Sequence, residues 1–259
     1  MSAPFVTAPT LGGIAHGFFG RRGGVSAGDL ASLNCGLGSG DDPALIAENR
    51  RRVAEAVLPG ATLTSLYQVH GNRCVIVDES TNLAARPEAD AMATRTPGLL
   101  LGILTADCVP VLFADREAGV VGAAHAGWKG AIAGVTDATL DAMESIGADR
   151  ARIAAAIGPC IGRASYEVDE AFVERFLADD PANERFFAAG KPGHAMFDIA
   201  AYVAARLAAA GVARIAIGGQ DTYAEADDYF SYRRACHKGE NSYGRQLSVI
   251  GLGQSVSAE

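Results

Sequence analysis

The chain has 259 residues, 49% hydrophobic and 20% charged, with a net charge of −8 and a pI of about 5.2. That composition suits a globular protein with a substantial core. The lack of a basic tract argues against nucleic acid, whose phosphates need concentrated Lys and Arg. There is no apolar run of spanning length and no basic-apolar-small leader pattern. The five scattered cysteines do not form a disulfide framework. The expectation is a cytoplasmic protein without membrane contact.

Gly12 to Phe19 reads as a first strand and Gly20–Gly24 as a turn. Asp42 looks like an N-cap with Pro43 at the first helical position. Leu45, Ile46, Asn49, Val53 and Val57 then form one helix face, ended by Pro59-Gly60. Within this helix Arg50-Arg51-Arg52, beside Glu48 and Glu55, reads mostly as a solvated face. Leu63–Val69 and Cys74–Val77 read as strands joined at His70-Gly-Asn-Arg as a hairpin.

Leu99–Thr105, Val109–Ala114 and Val120–Ala124 are nearly continuous apolar runs, which marks strands buried on both faces. Gly130 to Ile146 has helical spacing, and Ile153–Ile157 is a strand ended by Gly158-Pro159-Cys160. Val168–Leu177 and Asp198–Ala210 read as amphipathic helices, followed by strands at Arg214–Ile217 and Gln246–Leu252. Strands and helices are mixed rather than strictly alternating, so mixed sheets are expected.

Chemistry concentrates where apolar runs end. Cys108 follows one buried strand, in Thr105-Ala-Asp-Cys-Val-Pro. His125 closes another, in His-Ala-Gly-Trp-Lys-Gly, 17 residues later, and Gln68-Val-His70-Gly closes a third. A Cys and a His alone could be a nucleophile and its base. A second imidazole favours a metal instead, since two nitrogens and a thiolate leave zinc one open position. Copper is the alternative metal, but blue-copper sites use an axial Met, and none falls within these motifs. Cys35 and Cys74 read as small buried hydrophobes.

Gly127-Trp-Lys129-Gly reads either as an anion cradle at a helix start or as a tight turn with Trp128 as packing. Phe230-Ser-Tyr-Arg233-Arg234 offers groups that stack on a base or grip phosphate; its plainer reading is an exposed strand edge. Asn34, Asn49 and Arg50 are weaker polar candidates. His16 and His194 read as ordinary, and His237 as solvated.

Together Gln68-Val-His-Gly, Thr105-Ala-Asp-Cys-Val-Pro-Val-Leu, His125-Ala-Gly-Trp-Lys-Gly, Gly158-Pro-Cys-Ile-Gly and Phe230-Ser-Tyr-Arg-Arg resemble the laccase-domain family, also called multicopper polyphenol oxidase-like or peptidoglycan-editing-factor proteins. The match runs from Gly17-Phe-Phe to Ile250. The resemblance implies one α/β (α+β) domain over 1–259, with mixed sheets in a helix-flanked sandwich related to a toxin-deamidase-like cysteine hydrolase fold. It places zinc on His70, Cys108 and His125, which are also the catalytic candidates. The implied activity is phosphorolysis of adenosine, inosine, guanosine and methylthioadenosine, with adenosine deamination. Asn34, Arg50, Lys129 and Arg233 are the expected contacts for nucleoside and inorganic phosphate. The rivals are a copper phenol oxidase and a metal-free Cys108/His125 hydrolase or amidase acting on peptidoglycan precursors. Two departures touch the pocket rim. Members often carry Cys-Thr where this chain has Asp221-Thr222, and the 234–244 stretch is long, with an extra Cys236 and His237.

Overall fold

A computed structural model describes residues 3–82 and 85–253. Its elements begin with β1 (Phe5–Val6), β2 (Ala15–Phe19), α1 (Pro43–Val57), β3 (Thr62–Ser65), β4 (Cys74–Ile76), β5 (Ala91–Thr94), β6 (Leu99–Thr105), β7 (Val109–Asp115) and β8 (Val120–Ala126). They continue with α2 (Trp128–Ile132), α3 (Val135–Ser145), β9 (Ala154–Ile157), β10 (Glu167–Asp169), α4 (Glu170–Asp179), β11 (Phe187–Ala189), β12 (His194–Phe197), α5 (Ile199–Ala209), β13 (Arg214–Ile217), α6 (Tyr232–Lys238) and β14 (Gln246–Gly251).

Two mixed sheets carry the fold. The first has the order β1-β2-β14-β6-β3 and the second β13-β9-β7-β8-β5-β4, while β10, β12 and β11 form a small third sheet. The alternation of β6 explains the stacking, because successive side chains of a strand point to opposite faces. Leu101 and Ile103 meet Met92, Leu112, Val121 and Ala123 of the second sheet. Leu100 and Leu104 face the other way, onto Val53 of α1, Leu33 and Cys35. The far face of the second sheet packs Val111, Phe113 and Ala124 against Leu140 and Met143 of α3 and Tyr202 and Val203 of α5. Helices therefore cover both outer faces of the sandwich, and the apolar runs at β6, β7 and β8 follow from burial on both sides. None of the described helices is long and apolar enough to cross a membrane.

Several sequence expectations change. β3 ends at Ser65, and it pairs in parallel with β6 while β4 pairs in parallel with β5. The segment holding His70 is therefore a crossover between sheets, not a hairpin. The helix expected over Gly130–Ile146 breaks at Gly134, whose φ of 87° is left-handed. Val168 belongs to β10 ahead of the Asp169-capped α4. The Phe230 segment is no strand edge: Ser231 caps α6 by accepting the Arg234 N–H. Asp42 and Pro43 start α1 as expected.

One buried charge holds the β7–β8 turn to the following loop. Asp115, wholly buried, accepts the N–H groups of Glu117, Ala118 and Asp149 and pairs with Arg152 at 2.9 Å. Burial opposes its ionisation, but the Arg152 hydrogen bond and these N–H groups hold its carboxyl below the usual aspartate value. Asp115→Ala should cost about 2–4 kcal/mol at pH 7, because it orphans several donors at once. A lowered folded value stabilises above the unfolded pKa of about 3.9 and is lost as pH falls through the folded one. The deficit of the variant, read by denaturant unfolding, should therefore shrink below about pH 4; a constant deficit would contradict this.

Candidate metal centre

The site lies where the chain crosses between the sheets. Ala106-Asp107-Cys108 links β6 to β7, the His70 loop links β3 to β4, and His125 sits near the end of β8 opposite Pro110. One donor atom from each of His70, Cys108 and His125 lies within 4.8 Å of the others. The two imidazole rings stand edge-on, with centroids 4.8 Å apart. The trio grades from exposed His70 through half-buried Cys108 to buried His125.

Asp90, absent from the sequence reading, organises this cluster. It is fully buried just ahead of β5. Its Oδ1 accepts from His125 Nδ1 at 2.7 Å and from the His70 N–H at 2.9 Å. Its Oδ2 accepts the N–H groups of Gly71 and Val69 at 2.7 and 3.2 Å. These bonds hold His70 in left-handed backbone at φ 61°. They also place the His125 proton on Nδ1 and turn Nε2 toward the cluster. Burial opposes charge on both Cys108 and His125. Their mutual attraction nevertheless brings the thiol down to about 6 and the imidazole up to about 9, with Asp90 adding to the second.

The two glycines around Trp128 explain their motif by close approach. A Cβ at Gly127 would lie 2.8 Å from His70 Cδ2 and 3.2 Å from Cys108 Sγ, and one at Gly130 would lie 2.6 Å from the Gly71 carbonyl. The five-residue α2 thus presses its backbone onto the His70 loop. Trp128 packs on Phe172 at 5.1 Å.

A cavity of about 610 Å³ opens beside the cluster. Its lining includes His70, Cys108 and His125 with Tyr67, Gln68, Arg86, Thr105, Tyr232, Tyr243 and Arg245. The four expected substrate contacts do not line it. Asn34 is buried with its Oδ1 accepting from Gly36 and Arg245 N–H groups, so it builds the wall from behind. Arg50 reaches Cys35 O and Ser65 Oγ, also behind the wall. Lys129 lies over the Trp128 ring, and Arg233 donates to Glu167 O. Arg51 and Arg52 pair with Glu48, as a solvated face should. Thr222 donates to Asp107 Oδ1 at 2.7 Å, while Asp221 accepts from Ser165. His237 bonds Tyr223 and Cys236 is exposed, and neither borders the cavity.

Residues 15–253 match the sequence model of a family described as multi-copper polyphenol oxidoreductase laccase. The chain belongs to this family. Similar proteins include a purine nucleoside phosphorylase of Deinococcus radiodurans, 42% identical over 96% of this chain and 93% of that protein. Another is the purine nucleoside phosphorylase ORF3 of Streptomyces griseus, 42% identical over 88% of this chain and 92% of its own. The crystal structure of YlmD from Geobacillus stearothermophilus has a TM-score of 0.87 at 32% identity, covering 97% of this chain and 100% of that one.

The donors of this laccase-family chain can hold a metal. Two ring nitrogens and a thiolate suit zinc with one position open, and Asp90 gives His125 the carboxylate partner that metal-bound histidines carry. No Met is among the residues lining the cavity. Asp90→Asn should lower metal affinity about 10- to 100-fold with the fold intact. Chelator competition on the folded variant checks this, and unchanged affinity would remove Asp90 from the site.

Proposed function

We propose that this chain is a cytoplasmic, zinc-dependent purine nucleoside phosphorylase that also deaminates adenosine, with His70, Cys108 and His125 as metal ligands. The observation that carries the reading is the three-donor cluster opening into a cavity walled by aromatic rings. The names of relatives 38–42% identical to the chain support the same reaction.

Phosphorolysis breaks the C1′–N9 bond of the nucleoside and forms a C1′–O bond to phosphate, through an oxocarbenium-like sugar. The protein must hold a planar base, an anion and the departing purine together. The rings of Tyr67, Tyr232 and Tyr243 offer stacking faces at the cavity mouth, and stacking favours flat aromatic ligands. Asp90 retains the Nδ1 proton of His125, so that ring cannot rotate. Bound zinc would supply a Lewis acid beside the group that gains negative charge. Methylthioadenosine and guanosine fit the same scheme, because the cluster acts on the bond all purine nucleosides share.

A second reading rests on the same geometry. Cys108 as thiolate, His125 as imidazolium and Asp90 behind it form a nucleophile–base–orienter set, as in a metal-free hydrolase or amidase. His70 separates the two, since that chemistry has no use for a second imidazole beside the sulfur.

Zinc-loaded protein given adenosine should release adenine and ribose-1-phosphate in proportion to added phosphate, and inosine without it. Chelation should abolish both, and zinc should restore them. Cys108→Ala should lose metal and activity but fold normally, whereas Cys74→Ala, altering a half-buried thiol outside the cavity, should keep both. Full activity after metal removal, with Cys108 still required, would favour the hydrolase; phenol oxidation with copper and intact nucleosides would favour the oxidase.

A further inference from the structure

The charge of the cavity is opposite to that of the chain. The protein carries −8 overall, yet no Asp or Glu is among the residues lining the cavity, whose two permanent charges are Arg86 and Arg245. Neither guanidinium forms a salt bridge among the described residues, and Arg50 behind the wall forms none either. Unpaired cations gathered in one concavity repel one another, so the arrangement favours an anion between them.

Two polar atoms in the same wall lack partners among the described residues. Thr105 is 2% exposed and its buried hydroxyl forms no hydrogen bond to them, and Arg86 Nε is likewise buried without an acceptor among them. Buried polar groups are ordinarily satisfied, and an orphan beside a cavity marks where a ligand atom belongs. The remaining contacts orient the two arginines. Arg86 Nη2 donates to Leu66 O at 2.9 Å, and its guanidinium lies 5.9 Å from the Tyr67 ring centroid. Arg245 Nη2 donates to Tyr243 OH at 2.9 Å, and its guanidinium lies 4.5 Å from that ring. The Arg245 backbone is pinned by Asn34. Each arginine is thus held against an aromatic ring with donors left over.

We infer that Arg86, Arg245 and the Thr105 hydroxyl form the subsite for the phosphate anion, in place of Arg50, Arg233 and Lys129. This rests on the phosphorylase reading for its role, but not for its existence. Guanidinium groups match phosphate oxygens with paired N–H donors, and Thr105 adds one more donor next to the Cys108 loop. The anion then lies in the same cavity as the metal cluster, with the sugar between them.

Two measurements separate the subsite from the reaction. In the first, metal-free protein is melted with increasing inorganic phosphate against chloride at matched ionic strength. Wild type should gain stability with phosphate, as any ligand of the native state produces, and Arg86→Gln/Arg245→Gln should lose that gain, with Lys129→Gln keeping it. In the second, the KM for phosphate in ribose-1-phosphate formation should rise about 10- to 100-fold in each single Arg→Gln variant, the loss expected for a charge-assisted hydrogen bond. Thr105→Val should raise it less. Phosphate-specific stabilisation that depends on both arginines, without ribose-1-phosphate, would leave the subsite standing and overturn phosphorolysis. Phosphorolysis with unchanged phosphate KM in the arginine variants would overturn the subsite. If adenosine 5′-monophosphate gives the arginine-dependent stabilisation and inorganic phosphate does not, the anion belongs to a nucleotide, and the assignment to free phosphate fails.

Discussion

One buried carboxylate sets the geometry of the site. Asp90 receives four donors, three from the backbone of Val69, His70 and Gly71 and one from the His125 ring. It therefore ties a loop that crosses between sheets to a strand at the heart of the second sheet. A carboxylate with four donors is held ionised against the cost of burial, which otherwise opposes its charge. Removing it would free His70 from left-handed backbone and His125 from its orientation together. The three donors converge because this single residue addresses two of them.

The pressure of α2 completes the arrangement from the other side. Gly127 and Gly130 let a helix backbone approach the donors and the Gly71 carbonyl closer than any side chain allows. Asp107 anchors the remaining wall. It adopts φ 84° immediately before Cys108 and accepts from Thr222, Ser231 and the Arg233 N–H. Tyr232 of α6 thus reaches the cavity through a helix fastened to the loop that carries the thiolate. His70, Cys108 and the Tyr232–Arg245 segment arrive on three crossovers between the two sheets, while His125 comes from β8 and Arg86 from the β4–β5 connection within the second sheet, and together they face one cavity.

Much of this was legible in the residues, and the limits have physical causes. β6, β7 and β8 announce themselves because strands buried on both faces must be continuously apolar. Cys108 and His125 were legible because each follows or closes such a run, whereas His70 lies in the crossover beyond the half-exposed β3, which ends at Ser65. The hairpin reading failed because β3 and β4 each pair with a distant strand, and local spacing carries no record of that. β5, Ala91–Thr94, was missed since alanine lacks the β-branched bulk that marks a strand. Asp90 lies outside any motif periodicity. Asn34 and Arg50 were expected to contact substrate, yet neither lines the cavity, because a buried polar network and a cavity wall look alike in sequence. Arg86 and Arg245 stand 159 positions apart, and only the fold sets them in one wall.

The proposed chemistry requires a metal centre with one thiolate, two imidazoles and a free position. X-ray absorption at the zinc edge, on protein purified without added metal, tests this most directly. It should show about one sulfur near 2.3 Å and about three lighter scatterers near 2.0–2.1 Å, the last being solvent at the open position. A shell without sulfur, or metal present only as copper, would contradict it.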